Sequence, residues 1–156
     1  MKVDLVGLIR QAELENEEKI REAHLEFRWK LPEDKVVLWL DSEKTYRIFE
    51  NLIVNITKYA MPHTRVYIEM NERTDDVQIF MKNVSAGELN FNTEEIMDRF
   101  VRGDSSRNTE GSGLGLAIAK SFAQLQHGNL NITTEADLFK AEIILPKLEM
   151  SEKKED

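Results

Sequence analysis

The chain has 156 residues, 41% of them hydrophobic and 32% charged, with no cysteine and a formal net charge of −8. That length suits one domain with one sizeable core, and the hydrophobic fraction excludes a wholly disordered chain. The lack of cysteine excludes disulfide scaffolds, thiol catalysis and thiolate zinc, and 29 Asp+Glu against 21 Lys+Arg argues against a nucleic-acid or anionic-lipid partner. No apolar run approaches the ~20 residues of a membrane helix, and the N-terminus lacks a secretory pattern. The expectation is a soluble cytoplasmic domain without direct membrane contact.

From Asp4 to Ala23 the chain reads as one amphipathic helix capped by Asp4, with Leu5, Leu8, Ile9, Ala12 and Ile20 at helical spacing. Two short strands follow, Leu25–Leu31 and Val36–Leu40, with a turn at Pro32-Glu33-Asp34. Asp41 caps a longer helix reaching Ala60, its apolar stripe made by Tyr46, Phe49, Leu52, Ile53 and Ile56. Arg65–Met70 and Val77–Met81 read as a hairpin around a polar turn.

After Asn83 the periodicity fails, apart from a short helical pattern near Glu94–Phe100. Irregular stretches of this length are functional or mobile in compact domains. Four of the seven glycines fall between Gly103 and Gly115. A helix from Leu114 to Gln126 ends at Gly128, and strands near Asn129–Thr134 and Phe139–Leu145 complete the domain. The expected organisation is a domain over 1–148 with a polar tail over 149–156. Its fold class is α/β, an α+β two-layer sandwich: a mixed, mostly antiparallel sheet with three main helices on one face.

Chemistry concentrates in two places. In Gly111-Ser112-Gly113-Leu114-Gly115-Leu116, alternate glycines let the backbone approach a bulky anion, and the following helix points unpaired amides at it. No strand leads into this run and it has no Gly-Lys-Ser/Thr, so it is neither a dinucleotide fingerprint nor a P-loop. On the helix before it, Asn51, Asn55 and Lys58 share a face, with Tyr59 beside them. An amide oxygen ligates magnesium without opposing phosphate charge, and magnesium takes few protein ligands. A polar stripe on a solvated helix is the bland alternative, but two asparagines inside a helix fit it poorly.

Together, Glu50–Ala60 and Gly111–Leu116 resemble the N box and second glycine box of the GHKL ATP-binding superfamily, which unites gyrase, the heat-shock chaperone, histidine kinases and mismatch-repair ATPases. Met97–Asp104 looks like its phenylalanine box, Ser105–Glu110 like the ATP lid and Phe139–Pro146 like the closing strand. The nearest likeness is to the catalytic domain of bacterial sensor histidine kinases, over about Val3 to Leu148. The resemblance implies ATP and Mg2+ as cofactors. It implies that Asn55 holds the metal, Lys58 meets phosphate, Tyr59 lines the base and ribose pocket, and Asn51 supports the site. It also implies that Gly111, Gly113, Leu114, Gly115 and Leu116 surround the phosphates, and that Arg102 approaches the terminal phosphate as the lid closes. Positioning and charge stabilisation are most of what phosphoryl transfer asks of a protein.

Two departures from the pattern matter. Histidine kinases commonly carry Asp-x-Gly-x-Gly where this chain has Asn83-Val84-Ser85-Ala86-Gly87, so the adenine-reading carboxylate is replaced by a neutral amide. The expectation is that adenine selectivity survives with reduced affinity. Secondly, His24, His63 and His127 read as surface or turn residues, none followed by an acid as a phosphoacceptor would be. The implied partner is a separate dimerisation domain bearing that histidine, with a response regulator served indirectly and a membrane-anchored parent. The segment from Asn83 to Ser112 has little to bury and is expected to order on nucleotide binding.

Two other functions fit the chain less well. A stand-alone anti-sigma-type serine kinase of the same superfamily usually places a glutamate where Asn51 stands, and Glu50 is turned about 100° away. A non-catalytic, nucleotide-dependent binding module would explain the altered Asn83 box but not the retained Asn55 and Lys58.

Overall fold

The computed structural model describes residues 1–89 and 114–147. In chain order the elements are β1 (Lys2–Asp4), α1 (Leu5–Glu15), α2 (Glu17–Glu22), β2 (Leu25–Lys30), β3 (Val37–Trp39), α3 (Ser42–Tyr59), β4 (Thr64–Glu72), β5 (Asp76–Val84), α4 (Leu114–Leu125), β6 (Asn129–Glu135) and β7 (Leu138–Pro146). Five strands form one sheet in the order β2-β4-β5-β7-β6, with only the β2–β4 pair parallel. The expected mixed, mostly antiparallel sheet is what forms. The short helical pattern at Glu94–Phe100 and the polar tail lie outside the described residues.

The sheet is two-faced because its strands alternate. Val66, Ile68 and Met70 of β4, Val77, Ile79 and Met81 of β5, and Ala141, Ile143 and Leu145 of β7 are all buried, while the residues between them are not. Period-two patterning of this kind gives a sheet covered on one side only. The covering layer is led by α3, whose Ile48, Phe49, Leu52, Ile53 and Ile56 are at most 2% exposed. Each such side chain contributes about 1.5–3 kcal/mol on burial, which outweighs the weak helix propensity of the β-branched residues among them. The α4 residues Leu116, Ala119 and Ala123 close the same core, and the two small alanines let α4 lie near its neighbours.

One expectation needs correction, and two pairings are new. The first helix is two: Asn16 interrupts it, its side-chain Nδ2 donating to the Ala12 carbonyl at 2.8 Å and its backbone N–H to Glu13 at 3.1 Å. Asparagine competes for backbone groups in this way, so it ends helices rather than continuing them. A strand not foreseen, β1, pairs antiparallel with β3, because three residues are too few to show alternation. Consequently β2 and β3 are not partners across the Pro32 turn. They belong to different sheets, β2 pairing with β4 after the chain has crossed through α3. The three histidines do sit in turns, each exposed and each at a left-handed φ (57°, 65° and 65° for His24, His63 and His127). No helix among the described residues is long and apolar enough to cross a membrane.

Candidate functional site

The C-terminal half of α3, the end of β5 and the first turn of α4 converge on one region. Asp41 starts α3, its Oδ1 accepting from the Lys44 N–H at 2.9 Å, and this contact holds the Asp41 carboxyl below its ordinary range. The helix runs for 18 residues and is capped at its end by Ala60, and its exit is stitched to β5. The Ala86 N–H donates to the Tyr59 carbonyl at 2.8 Å, Met61 N–H to Val84 at 2.8 Å, and Ala60 bridges Ser85. Backbone groups leaving a helix must find such partners. Finding them on β5 fixes Tyr59 beside Asn83 and Ser85.

Asn55, Lys58, Tyr59, Asn83 and Leu116 line a single cavity of about 310 Å³, together with Ser85, Leu89 and Phe139. That volume is at the lower end for small-molecule sites, and the mix of apolar walls with a few polar groups is the usual composition of one. Phe139 stands opposite Asn83 in the β5–β7 ladder. Asn83 is 3% exposed, and among the described residues nothing bonds its Oδ1. A buried acceptor left unsatisfied costs about 1–3 kcal/mol, so native structures keep one where a ligand or solvent donor completes it. The wall therefore suits a ligand that donates a hydrogen bond.

Asn51 does not line this cavity. It lies one turn earlier, against the start of α4, where a Cβ built on Gly115 would fall 3.5 Å from its carboxamide. Leu114, Gly115 and Leu116 form the first turn of α4, and first turns carry amides with no intrahelical acceptor. Five predicted residues (Asn55, Lys58, Tyr59, Asn83 and Leu116) thus share the cavity, with Asn51 and Gly115 packed together beside it. Arg102, Gly111 and Gly113 lie outside the described residues, as do the phenylalanine-box and lid segments.

No group of three His, Cys, Asp or Glu that would hold a metal exists among the described residues. A cation here would depend on the Asn55 carboxamide and on oxygens brought by the ligand, which is how magnesium is commonly held. Glu50 faces elsewhere, its Oε1 accepting from Arg47 at 2.5 Å. Farther back on α3, the Tyr46 hydroxyl donates to Glu15. Burial and that carboxylate raise its pKa to about 12, while the same bond lowers that of Glu15.

Sequence reasoning missed Ser85, Leu89 and Phe139. Phe139 becomes a wall only through the antiparallel pairing of β5 with β7, more than fifty residues apart, which no local pattern encodes.

The sequence profile of the histidine kinase-, DNA gyrase B- and HSP90-like ATPases matches residues 40–149, which include every described wall of the cavity. The chain belongs to this ATPase family. Its fold implies nucleotide binding. Among similar proteins, the probable sensor protein PcoS of Escherichia coli is 40% identical over 93 residues, covering 58% of this chain and 20% of PcoS. The sensor histidine kinase WalK of Bacillus subtilis (strain 168) is 33% identical over 117 residues, 72% of this chain and 19% of WalK. The ATPase chain therefore spans about a fifth of the length of these relatives. The catalytic domain of histidine kinase ThkA superposes with a TM-score of 0.80 at 20% identity, covering 94% of this chain and 95% of that one. ThkA in complex with the response regulator TrrA gives a TM-score of 0.77 at 19% identity, over 95% of this chain and 42% of the ThkA chain. The two-layer ATPase fold expected from the sequence is the fold observed.

Proposed function

We propose that this chain is the ATP-binding catalytic domain of a two-component sensor histidine kinase, spanning residues 1–148. It holds Mg·ATP and presents the γ-phosphoryl group to a histidine on a separate dimerisation domain. The observation that carries this reading is the convergence of Asn55, Lys58 and Tyr59 from α3 with Asn83 from β5 and Leu116 from α4 around one cavity. Its apolar walls suit a purine and its orphaned Asn83 Oδ1 suits an exocyclic amine.

In this reading each residue has a task that its position allows. Asn55, half-buried near the helix end, would offer its carboxamide oxygen to magnesium, and Lys58 one turn on would meet phosphate charge. Tyr59 and Phe139 would enclose the base and ribose. The backbone around Gly113, Leu114, Gly115 and Leu116, with Gly111 before it, would receive the phosphates at the start of α4. Arg102 would meet the terminal phosphate. Magnesium, when bound, would neutralise charge that accumulates on the phosphates in transfer.

The acceptor histidine belongs to the partner domain, and the phosphoryl group passes from there to a response regulator. ThkA's complex with TrrA supports a regulator partner for kinases of this fold. The whole protein would be membrane-anchored with this domain in the cytoplasm. A serine-kinase reading fits less well, since Asn51 occupies the usual glutamate position and Glu50 is paired with Arg47.

Two measurements test the proposal. Calorimetry with Mg·ATP should give a saturable heat that weakens by about tenfold or more in Asn55→Ala. Addition of the cognate helical-hairpin domain should then give phosphohistidine with the wild-type chain and none with that variant. Binding without transfer would leave a non-catalytic nucleotide-dependent module, and no heat at millimolar Mg·ATP would end both readings.

A further inference from the structure

The base-reading position of this cavity is held by a side chain of double character. The Asn83 carboxamide carries one acceptor and one donor end, nearly equal in shape, whereas a carboxylate can only accept. Asn83 is 3% exposed and lines the cavity, and its Oδ1 is buried without a donor among the described residues. No hydrogen bond among the described residues fixes which end of the amide faces the ligand. Ser85, two residues on, turns its Oγ to the Gly87 N–H at 3.3 Å, and the opposite strand offers the ring of Phe139.

Purines differ at the corresponding edge. A 6-amino purine presents a donor at C6 and an acceptor at N1, whereas a 6-oxo purine presents an acceptor at C6 and a donor at N1. With Oδ1 forward, Asn83 accepts from the amine. Rotated by half a turn about its last torsion, it donates Nδ2–H to the oxo group and accepts from N1–H. The rotation exchanges atoms of similar size, so the shape of the wall does not oppose it. A carboxylate at this place would meet the oxo group with a lone pair and reject it. We infer that Asn83 relaxes base selection, so that this site takes 6-oxo as well as 6-amino purine nucleoside triphosphates.

This inference rests on the proposed nucleotide reading and replaces the expectation of adenine selectivity. That expectation fixed the amide with its oxygen toward the base, an orientation that no bonded neighbour among the described residues enforces.

The test is calorimetry of the 156-residue chain with Mg·ATP and with Mg·ITP, inosine differing at the 6-position and N1 without adding a 2-amino group. Wild type should bind ITP within about threefold of ATP. Asn83→Asp should keep ATP and lose ITP, widening the ratio by about tenfold or more, as buried donor–acceptor mismatches do. Asn83→Ala, which removes both ends, should weaken both nucleotides and hold the ratio near unity. It serves if Asn83→Asp does not fold, as judged by thermal melting. Wild type that binds ATP yet rejects ITP by more than about thirtyfold overturns the inference and leaves the ATP reading standing. An unchanged ratio in Asn83→Asp does the same. Binding of neither nucleotide sinks the ATP reading and this inference with it.

Discussion

Gly115 lies against Asn51: a Cβ built on the glycine would fall 3.5 Å from both Cγ and Oδ1 of the asparagine side chain. That is an ordinary van der Waals distance, so packing between α3 and α4 does not require glycine here. Glycine inside a helix also costs roughly 0.5–1 kcal/mol relative to alanine. A residue that the fold does not need and the helix does not favour points to a ligand that approaches the backbone closely. Gly115→Ala should therefore leave thermal stability unchanged or slightly higher, while Mg·ATP affinity falls by about tenfold. Melting and calorimetry on the same sample separate the two, and a destabilised variant with intact binding would refute the assignment.

Gly128 behaves in the opposite way. A Cβ there would sit 2.1 Å from the Ile144 carbonyl oxygen of β7 and 3.3 Å from that of Ala123. Both are backbone atoms held in place, Ala123 by accepting from the Gly128 N–H at 2.9 Å and Ile144 by the β6–β7 ladder. Gly128→Ala should cost about 2–3 kcal/mol, seen as a lower urea midpoint. Nucleotide affinity measured well below the transition should be unaffected, because this clash lies at the end of α4 remote from its first turn.

Asp41 links pH to stability. Its pKa is lowered in the folded chain, chiefly by the Lys44 N–H it caps, with the Lys44 ammonium adding a smaller share. A depressed carboxyl stabilises the fold above its unfolded pKa of about 3.9, and that contribution is lost as pH falls through the folded value. The side chain is 45% exposed, so the capping bond rather than the charge pair sets the size. Asp41→Ala should lower stability by about 1 kcal/mol at neutral pH. Below the folded pKa, chemical denaturation should find the two proteins converging. A gap that persists in acid would show that the loss came from something other than the ionised cap.

The reach of the sequence follows from what is local. Asp41 as a cap, the stripe Phe49, Leu52, Ile53 and Ile56, and the β4–β5 hairpin are set by neighbours a few residues apart, and each formed where expected. The Asn51, Asn55, Lys58 face was legible for the same reason. What was not legible depended on distant partners: β1 needed β3 to be a strand at all, and β2, expected as a strand from its alternation, finds its partner only in the distant β4. Asn83 was identified from its place after the strand. That its oxygen would be buried, and unsatisfied among the described residues, followed only from the packing of β5, β7 and α4 around it.

Arg102 is proposed to act on the terminal phosphate, which a diphosphate lacks. Arg102→Ala should accordingly reduce phosphotransfer to the hairpin domain by about a hundredfold and leave Mg·ADP affinity within about threefold. Equal losses in both would mean uniform binding rather than transition-state stabilisation.

Glu50 distinguishes the histidine-directed reading from a hydroxyl-directed one. A serine acceptor needs a base to take its proton, whereas an imidazole is already nucleophilic. The one carboxylate close in sequence to Asn51 is Glu50, and its Oε1 is engaged by Arg47 at 2.5 Å, on a part of α3 that does not line the cavity. Glu50→Gln should leave phosphohistidine formation within about twofold of wild type. It should also leave stability nearly unchanged, since Arg47 is 53% exposed and such pairs are weak. A loss of more than tenfold in transfer with normal Mg·ATP binding would place a general base at Glu50. The acceptor would then have to be a hydroxyl, because only that nucleophile needs the proton removed from this side.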